Sequence, residues 1–454
     1  MNLESVKSSG LLTRFNQDGH WYTSYPSLNH WGDFTDWEYR QRLASFARTQ
    51  KPLHLYLHIP FCKKLCHYCI CNILITNDRQ KIQFFLDYLF REIDLLREFY
   101  DEIGEEPQIE EIHFGGGTPS HLHREQFASL CDKLGSLLGG GEGIRKLSEV
   151  AMEVDPRTVE RDDLVFYASQ GVTRVSFGIQ DFDPSVQRAI NREQPYEMIE
   201  ELMKERHHFQ GINFDLLYGL PKQTFETIND TLDKTLKLSP DRITLLKYCH
   251  APDVRRHMKL INEEDLPNEE DLPIMFCNIT ERLTEAGYKW IGLDHFAKQT
   301  DSLSAGKLYR TFNGFTPGRT HDMVGLGPTT TAAFGETYCQ SIYDLPGYYE
   351  AIDKGKFPVF RGYKMTPDDL LRREVIFSLL CNQEVDLNKY GDYFDRERKL
   401  LYGLPELCHV RDGVVRVNTV GRVLLRNVCK VFDVKDVEKK HFRIAQLNMT
   451  RRVA

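Results

Sequence analysis

The stretch LHLYLHIPFCKKLCHYCICN, Leu53 to Asn72, reads as a strand that runs straight into a metal-binding loop. Leu53, Leu55, Leu57 and Ile59 fall on one side, Tyr56 and His58 on the other, the period-two alternation of a half-buried strand. Cys62, Cys66, Cys69 and Cys71 follow at once, four of the chain's 11 cysteines. Soft thiolates at C-x3-C-x2-C spacing bring three sulfurs round one centre and suit an iron–sulfur cluster. A structural zinc site, with Cys71 or His67 as fourth ligand, is the other reading of the same residues. Zinc of that kind normally supports small modules without a core, whereas this loop belongs to a long α/β chain; that favours a chemical role. Three ligands on a four-iron cluster leave one iron open to a small molecule.

Working outward, IQFFLDYLFREIDLLREFY recurs at helical spacing, with Phe85, Leu89, Leu96 and Phe99 near one face. Further strands are legible at IEEIHF, EVAMEV, VTRVSFG, INFDLLYG and RITLLKY, making six βα units, with YKWIGL near residue 290 as a seventh strand. This alternation predicts a parallel sheet with right-handed crossovers, open or closed into a barrel, whose function sits at the C-terminal ends of its strands. FGGGTP, Phe114 to Pro119, follows the second strand at that end, and glycines there let backbone amides approach a charged ligand. Gly139, Gly140 and Gly141 form a second triplet, but between a helix and the next strand, and read as a plain loop.

A formal net charge of −8 argues against bulk attraction to nucleic acid or anionic membrane. The opening MNLESVKSSG has no apolar core of a signal peptide, no run is long enough to span a bilayer, and a cytoplasmic location is expected. Cys131, Cys249, Cys277, Cys339, Cys381, Cys408 and Cys429 are singly placed and read mostly as buried thiols. The basic tail residues Lys439, Lys440, Arg443, Arg451 and Arg452 are diluted by Asp433, Asp436 and Glu438, and no nucleic-acid partner is expected.

CKKLCHYC after a strand, with GGGTP after the next, resembles the radical S-adenosylmethionine (SAM) superfamily. YTSYP (Tyr22–Pro26), HIPFC, EVDPR (Glu153–Arg157), GIQDF with NREQ, DLLYGLPKQT, RREVIFSLLCN and GRVLLRNVCKVFD are similar, more narrowly, to the oxygen-independent coproporphyrinogen III dehydrogenase family. The likeness runs over nearly the whole chain. It implies a partial, six-stranded βα barrel over 51–300, an N-terminal arm over 1–50 closing the active-site mouth, a barrel extension over 301–365 and a mainly helical C-terminal domain over 366–454. It implies radical chemistry that turns two propionates of coproporphyrinogen III into vinyl groups, giving protoporphyrinogen IX. The expected partners are a porphyrinogen substrate and a reducing donor such as flavodoxin or ferredoxin, with the chain a monomer.

By the same resemblance Cys62, Cys66 and Cys69 ligate a [4Fe-4S] cluster, and Cys71 is a near neighbour. Tyr56, the amides of Gly116 and Gly117, and Glu153 hold a first SAM; Tyr68, Thr118, Gln180, Arg192 and Asp215 hold a second, with Cys249 and Thr331 also at the SAM sites. Trp21, Ile70, Cys249 and Thr331 depart from the family pattern, as does TFNGF after Arg310. A paralogue using its second SAM for methyl or methylene transfer, and a haem chaperone, are the competing readings. The fourth cysteine, the YTSYP arm and NREQ speak for the dehydrogenase against the chaperone.

Overall fold

The computed structural model describes residues 6–7, 10–15, 22–318 and 320–435. Its centre is a sheet in which β1 (Leu53–Ile59), β2 (Ile109–Gly116), β3 (Glu149–Val154), β4 (Arg174–Gln180), β5 (Gly211–Tyr218) and β6 (Arg242–Lys247) lie side by side in chain order, every neighbouring pair parallel. Helices α1 (Arg79–Ile103), α2 (Arg124–Leu137), α3 (Arg161–Gln170), α4 (Tyr196–Met203) and α5 (Phe225–Leu238) make the crossovers. The longest, α1, starts where Asp78 accepts from the amides of Gln80 and Lys81, stops at Gly104 with φ 69°, and buries Phe85, Leu89, Leu96 and Phe99. Leu53, Leu55, Leu57 and Ile59 pack into the same core, as their alternation predicts.

The other face of the sheet is polar. Alternate residues of successive strands, among them His54, Glu111, Glu153, Ser176, Asp215 and Thr244, line one large cavity. Its floor is closed by ions. Arg174 bridges Glu149 (3.0 Å) and Asp301 (3.3 Å), and Arg242 meets the same Asp301 at 2.8 Å. His54 meets Glu111 at 2.9 Å. Charges this deeply set persist only when paired, as these are.

The sheet is open, and it continues beyond the six strands on both sides. YKWIGL is a strand (Tyr288–Gly292), but it lies at the outer edge, antiparallel to His295–Lys298, which pairs antiparallel with β6. The strand that lies parallel beside β1 is Met323–Leu326, registered from His54 to Leu57. Thr331–Phe334, Thr337–Ser341 and Val359–Lys364 extend that flank antiparallel. A hairpin, Tyr309–Thr311 with Gly314–Thr316, contributes to the cavity wall.

After Pro367 the chain forms a second core. A helix over Pro367–Asn382 precedes a small antiparallel sheet ordered Glu384–Asp386, Val414–Val417, Cys408–Arg411, with short helices around it. GVVRVN supplies the central strand of the three. Leu379, Leu387, Phe394, Val415 and Phe432 of this core pack with Tyr22 and Tyr25 of the arm. Tyr22 donates its hydroxyl to Asp433 (3.2 Å), and the Tyr25 amide donates to the Tyr338 hydroxyl (3.4 Å). Trp21 and the tail residues Asp436, Glu438, Lys439, Lys440, Arg443, Arg451 and Arg452 lie outside the described residues. Among the described residues no helix is long and apolar enough to cross a membrane.

Candidate active site

The cysteine loop leaves the end of β1 and is held from two sides. The His67 amide donates to the Ile190 carbonyl (2.9 Å), and Asn191 Nδ2 donates to the Leu65 carbonyl (2.7 Å). His257 Nε2 meets the Cys69 carbonyl at 2.7 Å, and Arg255 Nε donates to that of Ile70 at 2.9 Å. Cys62 and Cys66 are buried, Cys69 is half-buried and Cys71 is exposed. Ile70, one of the departures, is 44% exposed.

Positive charge and hydrogen-bond donors converge on the thiols. Thr118 Oγ1 donates to Cys62 Sγ (3.2 Å), while Arg157 Nη2 (3.3 Å) and Arg192 Nη1 (3.4 Å) donate to Cys66 Sγ. Asp155 sits between the two guanidiniums, 2.7 Å from Arg157 and 3.2 Å from Arg192. Burial works to raise its carboxyl, but Arg192 and Arg157 outweigh it and hold it at about 2. Burial pushes the Cys62 thiol up to about 12, with the Thr118 hydroxyl offsetting part of the rise.

The glycines after β2 are crowded, unlike the control triplet. A Cβ on Gly115 would meet the Tyr56 ring at 2.7 Å and Glu153 Oε1 at 2.8 Å; one on Gly116, whose φ is 118°, would meet the Ile59 backbone at 2.8 Å. On Gly117 it would meet the Phe61 carbonyl at 2.9 Å and Cys62 Sγ at 3.0 Å. Gly139, Gly140 and Gly141 face open space. The expectation that the Gly117 amide points at a ligand is not met, since it donates to the Ile59 carbonyl at 2.8 Å. What Gly117 contributes is the missing side chain, which lets β2 close on the cysteine loop.

Cys62, Cys66, Cys69, Tyr68, Gly116, Gly117, Thr118, Glu153, Gln180, Arg192, Asp215 and Cys249 all border one cavity of about 850 Å³. Two of the expected residues do not. Tyr56 stands behind Gly115, its hydroxyl 3.3 Å from His58 Nδ1, and Thr331 lies on the flanking strand Thr331–Phe334, paired with Gln340. Glu153 is met by His113 Nε2 at 3.1 Å. Asp215 accepts from Ser176 Oγ and Asn213 Nδ2, both at 2.8 Å, and burial raises its pKa. Arg192 gives its remaining donors to the Gly178 carbonyl (Nε 3.1 Å, Nη2 2.7 Å), so its fork is filled at the loop. Sequence reasoning passed over Asp155 and Arg157, although EVDPR carries both; it also passed over His113.

Among the described residues, the one trio of His, Cys or carboxylate ligand atoms within 4.8 Å of one another is Glu205, His207 and His208, away from the cavity. The guanidinium donors on Cys66 suit an anionic centre.

Comparison with known proteins bears on the same residues. Residues 56–235 match the model of the radical SAM superfamily. The oxygen-independent coproporphyrinogen III oxidase of Salmonella typhimurium is 36% identical over 440 residues, covering 93% of this chain and 94% of that one. That of Synechocystis is 36% identical over 452 residues, covering 94% of each. A solved structure of coproporphyrinogen III oxidase from Escherichia coli, described as a radical SAM enzyme, superposes with a TM-score of 0.85 at 35% identity, covering 91% of this chain and 97% of that one.

Proposed function

Since the chain belongs to the oxygen-independent coproporphyrinogen III oxidase family of radical SAM proteins, we propose that it oxidatively decarboxylates two propionates of coproporphyrinogen III to vinyl groups, giving protoporphyrinogen IX for porphyrin and haem synthesis. The observation that carries the proposal is that the thiols of Cys62, Cys66 and Cys69, two of them hydrogen-bonded by Thr118, Arg157 and Arg192, border with Glu153 and Asp215 one cavity of about 850 Å³. Family membership implies a [4Fe-4S] cluster and SAM, and the thiols of Cys62, Cys66 and Cys69 would hold the cluster. When bound, these groups supply abstraction of a hydrogen atom from an unactivated carbon.

The chain's own residues do the rest. Arg157, Arg192 and the Thr118 hydroxyl stabilise anionic sulfur and fix the loop's shape. Glu153, an acceptor at the strand end, would take the ribose hydroxyls of a first SAM, with His113 orienting it. Tyr68, Gln180 and Asp215 would border a second SAM. The arm over Thr23–Asn29 lines the mouth and would exclude water from the reacting carbon, with the domain after Pro367 as its support. We assign the electron supply to a small carrier such as flavodoxin or ferredoxin, the location to the cytoplasm and the working form to a monomer.

The test is anaerobic. The iron- and sulfide-reconstituted protein, given coproporphyrinogen III, SAM and a reductant, yields protoporphyrinogen in proportion to SAM consumed. Methionine and 5′-deoxyadenosine formed without vinyl product would remove this substrate and keep the radical chemistry.

A further inference from the structure

Six arginines line the cavity: Arg157, Arg174, Arg192, Arg242, Arg310 and Arg361. The first four are ion-paired, Arg157 and Arg192 to Asp155, Arg174 and Arg242 to Glu149 and Asp301. The last two are not. Arg310 is only 4% exposed, and its Nε and Nη1 are buried with no hydrogen-bond partner among the described residues. Its guanidinium lies over the Phe315 ring, 4.7 Å from the centroid. Asp294 is near enough to attract it, but that carboxylate hydrogen-bonds His295 Nδ1 at 2.6 Å and makes no ion pair with Arg310. Arg361 donates to Gln340 Oε1 and to the Tyr343 hydroxyl, both at 2.7 Å and both neutral. Ser27 Oγ, from the arm, is a further buried cavity atom without a partner.

Burying a guanidinium without an anion is strongly unfavourable, and a fork of donors matches a carboxylate in shape. We propose that Arg310 and Arg361 are the two points at which the cavity takes substrate carboxylates, and that those carboxylates are the two the reaction leaves in place. This rests on the porphyrinogen reading above. Each converted propionate loses a hydrogen atom to the radical, carbon dioxide, and one electron to an acceptor, which the reaction requires in any case. A guanidinium clamped on a carboxylate stabilises it as the anion and opposes that loss. The reacting propionate therefore stands free of both arginines, toward Glu153 and the cysteine loop. Coproporphyrinogen III offers such a division, with two propionates converted and two retained in the product.

The division can be measured without turnover. Coproporphyrin III, the stable aromatic relative of the substrate, carries both kinds of propionate; protoporphyrin IX carries the retained kind alone. Fluorescence titration of the reconstituted protein with each porphyrin gives the two affinities. Arg310→Gln and Arg361→Gln each weaken both porphyrins by the same factor, roughly tenfold or more for loss of a charge-assisted pair. Arg310→Lys keeps part of the affinity. Loss confined to coproporphyrin III overturns the assignment to retained carboxylates, and loss for neither overturns the anchors. Arg310→Met serves as the folding control, since replacing a buried guanidinium that has no direct ion pair by an apolar side chain leaves the melting temperature unchanged or higher. A lower melting temperature with unaltered porphyrin binding makes Arg310 structural and overturns its part. A wild-type protein that binds both porphyrins but makes no protoporphyrinogen removes the reaction and leaves the carboxylate anchors standing.

Discussion

Cys66 is where the charges of the cavity's upper rim meet, with two guanidiniums on one sulfur and Asp155 held between them. Cys71, two residues past Cys69, is exposed, and its thiol shares a hydrogen bond with that of Cys69. Cys71→Ser accordingly keeps close to a full complement of about four irons with reduced activity, whereas Cys62→Ser, Cys66→Ser or Cys69→Ser loses most of the iron. Iron and sulfide analysis after anaerobic reconstitution decides it, and a collapse in Cys71→Ser alone means that the ligand set is misassigned. Gly117→Ala makes a second test. The new methyl meets Cys62 Sγ and a carbonyl oxygen at about contact-breaking distance, 3.0 and 2.9 Å, so iron retention falls. Gly140→Ala, strained by its φ of 75° but facing open space, costs about 1 kcal/mol of stability and keeps the iron. The cysteines and glycines were legible in the sequence because local spacing defines them. The clamp of Arg157 and Arg192 on Asp155 was legible only in part, because Asp155 and Arg157 stand together in EVDPR whereas Arg192 follows a different strand and is joined to them only by the fold.

At the scale of elements, α1 is tied to the flank of the sheet through one buried carboxylate. Glu92 is 1% exposed and accepts from the Gly327 amide (2.7 Å) and the Tyr348 hydroxyl (2.6 Å). Burial outweighs both hydrogen bonds and raises its pKa from 4.5 to about 7. The folded state thus prefers the protonated acid, so its contribution is fully present below about 4.5 and is lost as pH rises toward 7. The loss is on the order of 3 kcal/mol. Glu92→Gln, neutral at every pH and still able to accept, flattens the fall in melting temperature between pH 4.5 and 7 and melts higher at pH 8 than the parent chain. A variant that melts lower at pH 8 refutes this account. The parallel strands β1 to β6 were legible from alternation and from the helices between them. Met323–Leu326 and the strands after it were passed over, since GLGPTTTAAF offers short runs of glycine, threonine and alanine with no apolar period. They become strands because β1 presents an open edge to pair with.

Over the whole molecule, the N-terminal arm and the region after Pro367 share one core among the described residues. Tyr22 and Tyr25 are 3% and 1% exposed, packed with Leu379, Phe394 and Phe432. A chain lacking residues 1–27 therefore melts lower and makes little vinyl product, because the second core is opened and Ser24 and Ser27 leave the cavity mouth. It retains the iron, whose ligands belong to the loop after β1. Equal loss of iron and product contradicts the separation. The aromatic arm was visible in the sequence as YTSYP, but its partners were not, since nothing local links Tyr22 to Asp433. The same sharing sets an order of manufacture. A ribosome adding roughly 5–20 residues per second releases β1 and its cysteine loop well before Phe394 and Phe432 exist to receive the arm. Until they do, Tyr22 and Tyr25 have no core to enter, and the cavity lacks the arm along its mouth.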